Sequence, residues 1–255
     1  MKKFAITGNP VTHSKSPVLF KAAYGSMYDM TYELMPAESA KIAVDLFSAN
    51  GLNGMNVTAP FKTDILPYID KYSDEVGIIG AVNTVIKSDD GLLTAYNTDY
   101  QGVLGAFDDF GVQLAGKKCL LLGIGGAGMA AAYALCKAGT DLTIANRTVS
   151  KAEEFASKLG AKAVDLSAIG DKVPGYDVIV NTLYPTIDCI DKTFLHTEQV
   201  VMDASYVGSP LLEKAAQQSC LCIDGRYWIL YQAIPAFRLF TGIEPDVDAI
   251  RKAIL

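Results

Sequence analysis

Short apolar runs alternate with helix-patterned segments along the whole chain, and this alternation restricts the fold more than any other feature. FAITG precedes a helical segment that opens after Ser16, TYELM precedes AKIAVDLFSAN, and GMNVT precedes the region after Pro60. A second series begins near Lys117: KCLLLG, the helical MAAAYALCKAG, DLTIA, a helix after Thr148, AKAV, DVIVN and QVVMDA. Parallel strands need a crossover, so strand-then-helix repetition predicts an α/β fold with mostly parallel sheets. It also places functional groups at the carboxyl ends of the strands. The later strands are dense in Val, Ile and Leu, as strands covered on both faces should be.

The 255 residues suffice for two modest domains. The seam falls at the helix-like QGVLGAFDDFG, and DGRYWILYQAIPAFRLFTG reads as a long amphipathic helix, kinked at Pro235, that returns to the first domain. The expected division is therefore residues 1–100 plus 226–255 as one discontinuous domain and 101–225 as the other. A net charge of −6 without a basic patch argues against a nucleic-acid partner. No run approaches the roughly 20 apolar residues of a membrane span. MKKFAITGNP turns to glycine and proline too soon for a signal peptide, so a cytoplasmic protein is expected. Five cysteines, most of them inside strand or helix patterns, read as reduced packing residues, and with only two histidines no metal site is expected.

LLGIGGAG matches G-x-G-x-x-G through Gly123, Gly125 and Gly128, after an apolar strand and before an alanine-rich helix. Gly123 allows a tight turn, Gly125 lets backbone approach a pyrophosphate, and Gly128 permits close packing of helix on strand, with Gly126 and Ala127 completing the loop. At the end of the next strand stands Asn146-Arg147-Thr148, not the carboxylate that accepts the ribose hydroxyls of NAD. A guanidinium there suits a 2′-phosphate, so NADP is preferred over NAD.

In the first series, GMNVTAPFK puts Lys62 just past a strand end, with Pro60 suited to the first turn of a helix. Asp99, in YNTD, reads as a helix cap or as an acid able to partner a base. Ser16-Pro17 reads as an N-cap and first helical residue, which leaves Ser14 unexplained; hydroxyls at a helix amino end suit a carboxylate ligand. Asn83, in GAVNT, reads as a turn residue or as a carboxamide facing a hydroxyl.

Together and in this order, GNPVTHSKSP, NVTAPFK, GAVNT, NTD, GIGGAG, NRT, DASY and a late glutamine resemble the shikimate dehydrogenase family over nearly the whole chain. The resemblance implies an N-terminal α/β substrate domain and a Rossmann-type dinucleotide domain. It implies NADP-linked interconversion of 3-dehydroshikimate and shikimate, a step toward chorismate and the aromatic amino acids, in a monomer or homodimer. It makes Lys62 and Asp99 the catalytic pair, Ser14 and Ser16 the carboxylate-binding hydroxyls with help from Tyr206, and Thr58, Asn83 and Gln232 the holders of ring hydroxyls, with Asn56 supporting the loop. Gly225 and Trp228 join the cofactor side, where Trp228 replaces the family's common methionine beside the nicotinamide. Ala59 and Ala95 also depart from the usual pattern without removing a functional group. Two alternatives stay open: a quinate/shikimate dehydrogenase that uses NAD or both cofactors, and a catalytically silent, ligand-sensing relative.

Overall fold

The computed structural model describes residues 1–25, 29–183 and 189–255. The chain divides into two compact units, residues 1–98 with 230–255, and residues 99–229. The backbone passes between them at Thr98–Asp99 and at Ile229–Leu230.

In the first unit β1 (Lys2–Gly8), α1 (Ser16–Tyr24), β2 (Met30–Pro36), α2 (Ala40–Ala49) and β3 (Gly54–Val57) follow the strand-helix alternation read from the sequence. Then come α3 (Phe61–Asp64), β4 (Lys71–Tyr72), α4 (Asp74–Ile79), β5 (Thr84–Lys87) and β6 (Leu93–Tyr96). Sheet order is β2-β1-β3-β5-β6-β4. Only β5 opposes its neighbours, antiparallel to both β3 and β6. The tight Ser88–Leu92 turn permits this, because antiparallel neighbours need no crossover. Reversal has a functional consequence: the residue that enters β5, Asn83, lies at the edge where β1, β3 and β6 end.

Three local expectations are corrected. Ser16 is the first helical residue of α1, not its cap, because Lys15 already has helical dihedrals (φ −85°, ψ −8°). Pro60 precedes α3 instead of sitting in its first turn; the chain reverses over Thr58–Phe61, with Phe61 N donating to Thr58 O at 3.0 Å, and the helix that follows is one turn long. Asp99 opens α5 (Asp99–Asp109) from within the helix.

The second unit continues with β7 (Lys118–Leu122), α6 (Gly126–Lys137), β8 (Asp141–Asn146), α7 (Val149–Leu159), β9 (Lys162–Asp165), β10 (Val178–Asn181), β11 (Val200–Asp203), α8 (Pro210–Gln217) and β12 (Leu221–Ile223). Its strands pair in parallel throughout, in the order β12-β11-β10-β7-β8-β9. The order reverses at β7 and β10, so the crevice above their carboxyl ends is the switch point of a doubly wound sheet. β7, β8 and β10 are buried over nearly their whole lengths, which accounts for their continuous aliphatic runs. All five cysteines are free thiols, and burial pushes Cys119, in β7, up to about 12.

α9 (Gly225–Thr241) runs through Pro235 as one helix, and α10 (Val247–Ile254) closes the chain. Within the first unit, α9 contributes Phe237 and Phe240 to an aromatic cluster with Phe4 of β1, Phe20 and Tyr24 of α1, and Tyr32 of β2. Phe20 lies 5.1 Å from Phe237 and 4.9 Å from Tyr32 between ring centroids, and Phe4 stacks on Phe240 at 5.0 Å. The C-terminal segment therefore fills the core between β1, β2 and α1. Phe237→Ala should cost about 3–5 kcal/mol of unfolding free energy by urea titration, against roughly 1 kcal/mol for Phe237→Leu. A loss below about 1 kcal/mol for the alanine variant would show that the cluster does not depend on this ring.

Candidate active site

In the first unit the polar residues singled out in the sequence gather at one sheet edge. Thr58 follows β3, its N–H donating to Thr7 O at 2.9 Å, while Val57 N donates to Asn83 O at 2.8 Å. Lys62, half-buried in α3, is tied to the same edge by its carbonyl, which accepts from Val82 N at 2.7 Å.

The register sets Asn56 opposite Thr84, and Thr84 opposite Tyr96. Along this row two buried amides have orientations dictated by the backbone. Asn56 donates through Nδ2 to Asn83 O and to Thr84 Oγ1, both at 3.0 Å. Because a backbone carbonyl can only accept, Asn56 Oδ1 faces the other way, where it accepts from the Tyr32 hydroxyl at 2.6 Å. Asn83 is fixed in turn by Thr98 N–H, which can only donate and meets Oδ1 at 2.8 Å. Its Nδ2 then donates to Thr98 Oγ1 at 2.8 Å and to Gln232 Oε1 at 3.2 Å, while Thr84 Oγ1 donates to Oδ1 at 2.9 Å. At 2% exposure, Asn83 is held entirely by protein partners, and it directs the carboxamide oxygen of Gln232 inward.

Ser14 and Ser16 lie at the amino end of α1. Ser14 Oγ donates to Ser16 Oγ and accepts from Ser16 N, each at 3.3 Å. The Lys15 side chain does not cap α1, and Ser14 Oγ meets the first N–H of the helix, so two hydroxyls stand at a helix amino end, an arrangement that suits an anion. Burial pushes the Tyr32 hydroxyl well above its ordinary range, so the phenol stays protonated. Tyr32 and Thr98 escaped the sequence reading. Tyr32 is one aromatic in an ordinary strand pattern, and Thr98 is overshadowed in NTD by the charge beside it.

In the second unit the glycine loop joins β7 to α6, with Gly125 at the N-cap position. Gly123 adopts φ +93°, a conformation that L side chains rarely adopt. A Cβ on Gly128 would meet the Gly123 carbonyl carbon and Thr182 Oγ1, each at 2.9 Å, so helix and loop touch only because it is missing. Gly125 differs. A Cβ there would meet nothing within 4 Å, so internal packing does not demand a glycine, and the open space suits a phosphate against bare backbone. Gly126 and Ala127 form the first turn of α6.

Asn146 ends β8 and donates through Nδ2 to Thr148 O at 2.9 Å, bracketing Arg147. Arg147 is exposed, and among the described residues its guanidinium has no hydrogen-bond or ion-pair partner. It lines a cavity of about 350 Å³ with Asp165, Leu166, Ile169 and Cys189. The chemistry of this set fits the adenosine end of a dinucleotide with a 2′-phosphate: an uncommitted fork of donors beside an apolar wall. After β11, buried Asp203 accepts from Asn181 Nδ2 at 2.9 Å, Ser209 Oγ at 2.6 Å and Ser205 N at 2.8 Å, which fixes the backbone leading to half-buried Tyr206. A Cβ on Gly225 would meet the carbonyl carbons of Ala204 and Ser205 at 2.7 and 2.8 Å, so its bareness serves packing within the protein. Trp228, three residues on in α9, is buried.

The Shikimate dehydrogenase substrate binding domain model matches residues 6–85, the Shikimate / quinate 5-dehydrogenase model residues 106–219, and the Shikimate 5′-dehydrogenase C-terminal domain model residues 230–255. A curated shikimate dehydrogenase (NADP(+)) of Halorubrum lacusprofundi is 37% identical over 274 residues, spanning 100% of this chain and 98% of the relative. Shikimate 5-dehydrogenase from Thermus thermophilus, in complex with NADP(H) and shikimate, matches with a TM-score of 0.90 at 32% identity, covering 100% of this chain and 98% of that one. Quinate dehydrogenase from Corynebacterium glutamicum, in complex with NAD, matches with a TM-score of 0.88 at 29% identity, covering 99% and 98%. With relatives above 30% identity along its whole length and a site-bearing edge in each unit, the chain belongs to the shikimate dehydrogenase family.

Proposed function

We infer that this protein is an NADP-dependent shikimate dehydrogenase, which reversibly reduces 3-dehydroshikimate to shikimate in the biosynthesis of chorismate and the aromatic amino acids. Full-length similarity to curated NADP(+) enzymes carries the conclusion, and the uncommitted Arg147 beside an open glycine loop supports the choice of cofactor. Residues 1–98 with 230–255 serve as the substrate domain and residues 99–229 as the dinucleotide domain. A cytoplasmic site of action, as a monomer or homodimer, accords with the acidic chain and its small-molecule substrate. Among the described residues no helix is long and apolar enough to cross a membrane.

When bound, the nicotinamide exchanges a hydride with the carbon that bears the reacting oxygen. Lys62 and Asp99 are the catalytic pair: Lys62 gives a proton to that oxygen as the ketone is reduced and receives it back in the reverse direction. Ser14 and Ser16, helped by Tyr206, bind the carboxylate at the amino end of α1. Thr58, Asn83 and Gln232 hold the ring hydroxyls, Asn83 chiefly by directing the amide of Gln232. Asn56 supports this row from β3. In the other unit Gly123, Gly125, Gly126, Ala127 and Gly128 cradle the pyrophosphate. Asn146, Arg147 and Thr148 read the 2′-phosphate, and Gly225 and Trp228 lie toward the nicotinamide.

A silent relative would produce no nicotinamide absorbance from shikimate and NADP+, so that assay comes first. Lys62→Ala should leave NADP+ affinity intact and lower kcat by about 100- to 10,000-fold; a near-normal rate would remove Lys62 from the mechanism. Arg147→Ala should lower the kcat/KM preference for NADP+ over NAD+ by about 10- to 100-fold, mostly through the NADP+ term. An unchanged ratio would place the 2′-phosphate elsewhere. The quinate alternative draws on the quinate dehydrogenase relative. Measured with each cofactor, kcat/KM should favour shikimate over quinate, and a preference for quinate with NAD+ would reverse the assignment.

A further inference from the structure

We propose that Asp165 reads the base of the dinucleotide: the outward oxygen of its carboxylate accepts a hydrogen bond from the exocyclic amine of adenine. The proposal rests on the cofactor reading above and extends it from the 2′-phosphate to the purine.

Strand register brings two charged groups to one edge. β8 and β9 pair in parallel with Asn146 opposite Asp165, so Arg147 leaves one strand where Asp165 ends the next. Both line the same cavity of about 350 Å³. Among the described residues they form no ion pair, so neither charge is spent on the other. Ile169 belongs to the buried core of this unit and Leu166 packs against that core, so the apolar wall of the cavity is backed by fixed side chains. A flat purine suits such a wall, which leaves its polar edge to be met by a side chain.

One oxygen of Asp165 is committed. Oδ1 accepts from Ser167 N at 2.7 Å and from Ser167 Oγ at 2.6 Å, the bonds that open the short turn after β9. They hold the Asp165 carboxyl below the usual carboxylate range, so it is ionised at neutral pH and can only accept. Capping that turn takes a single oxygen, which Ser, Thr or Asn would supply as well. Oδ2 is therefore surplus to the fold, and among the described residues it has no hydrogen-bond partner. A charged acceptor repels phosphate and suits a neutral donor. At that end of the dinucleotide the neutral donors are the exocyclic amine of adenine and the 3′-hydroxyl of the ribose, and the apolar wall beside Asp165 selects the base. Hypoxanthine, with a carbonyl oxygen in place of the amine, would set acceptor against acceptor.

The test measures dissociation constants for NADP+ and for its hypoxanthine analogue by equilibrium titration, without turnover. Wild-type protein should bind NADP+ about five- to tenfold more tightly than the analogue. Asp165→Asn should invert that order, because Ser167 N–H can only donate and holds the carboxamide oxygen inward, which turns the amide donors toward the base. Asp165→Ser keeps a capping oxygen, removes the second one, and should bind the two dinucleotides within about twofold of each other. Should the asparagine variant fail to fold, the serine variant carries the comparison alone. A merely structural role would weaken both dinucleotides equally and keep the wild-type order. Wild-type protein that binds neither dinucleotide would defeat the cofactor reading itself. Wild-type protein that binds both equally, or a preference that survives either substitution, would overturn the role of Asp165 and leave that reading intact.

Discussion

Two buried side-chain amides, those of Asn56 and Asn83, impose direction on the substrate-domain edge. Each lies against a backbone group that can act in only one sense: a carbonyl that accepts from Asn56 and an N–H that donates to Asn83. A buried amide facing the wrong way would leave donors against donors, and an unsatisfied buried group costs about 1–3 kcal/mol. The orientations of Thr84, Thr98, Tyr32 and Gln232 follow from theirs. A row satisfied in this way is rigid before any ligand arrives, which limits the ordering cost of binding a small polyhydroxylated acid.

That row depends on the reversed strand. If β5 ran parallel to β3, Asn83 would enter the sheet at its opposite edge, far from Thr58 and Lys62. The Ser88–Leu92 turn brings it back by pairing β5 and β6 as a hairpin. The C-terminal segment matters equally, because Phe237 and Phe240 complete the cluster that holds Tyr32 while Gln232, on the same helix, meets Asn83. Packing and polarity are thus delivered by one element, and its loss would remove both.

The chain is acidic overall, yet the site proposed in each unit takes an anion. Local dipoles resolve the apparent conflict. The amino end of α1 with its two hydroxyls, bare backbone at Gly125 and the uncommitted Arg147 each supply a short-range positive field. Across about 8–10 Å of physiological salt the net charge is screened, whereas groups in contact with the ligand are not. Trp228 is buried within α9.

The alternation of strands and helices, the glycine loop and the Asn-Arg-Thr that follows β8 were legible from the sequence because each obeys a local rule: periodicity, backbone freedom and strand-end placement. The ordered motifs also carried the family. Lys62, Asp99, Ser14 and Gln232 were individually ambiguous, since a lone lysine, cap, hydroxyl or amide has an ordinary structural explanation. Tertiary structure alone decided the reversal of β5, the start of α1 at Ser16, the position of Pro60 ahead of its helix, and the bond between Tyr32 and Asn56. These depend on pairings between residues as far apart as Asn83 and Gln232, and no local pattern encodes which donor will find which acceptor once water is excluded.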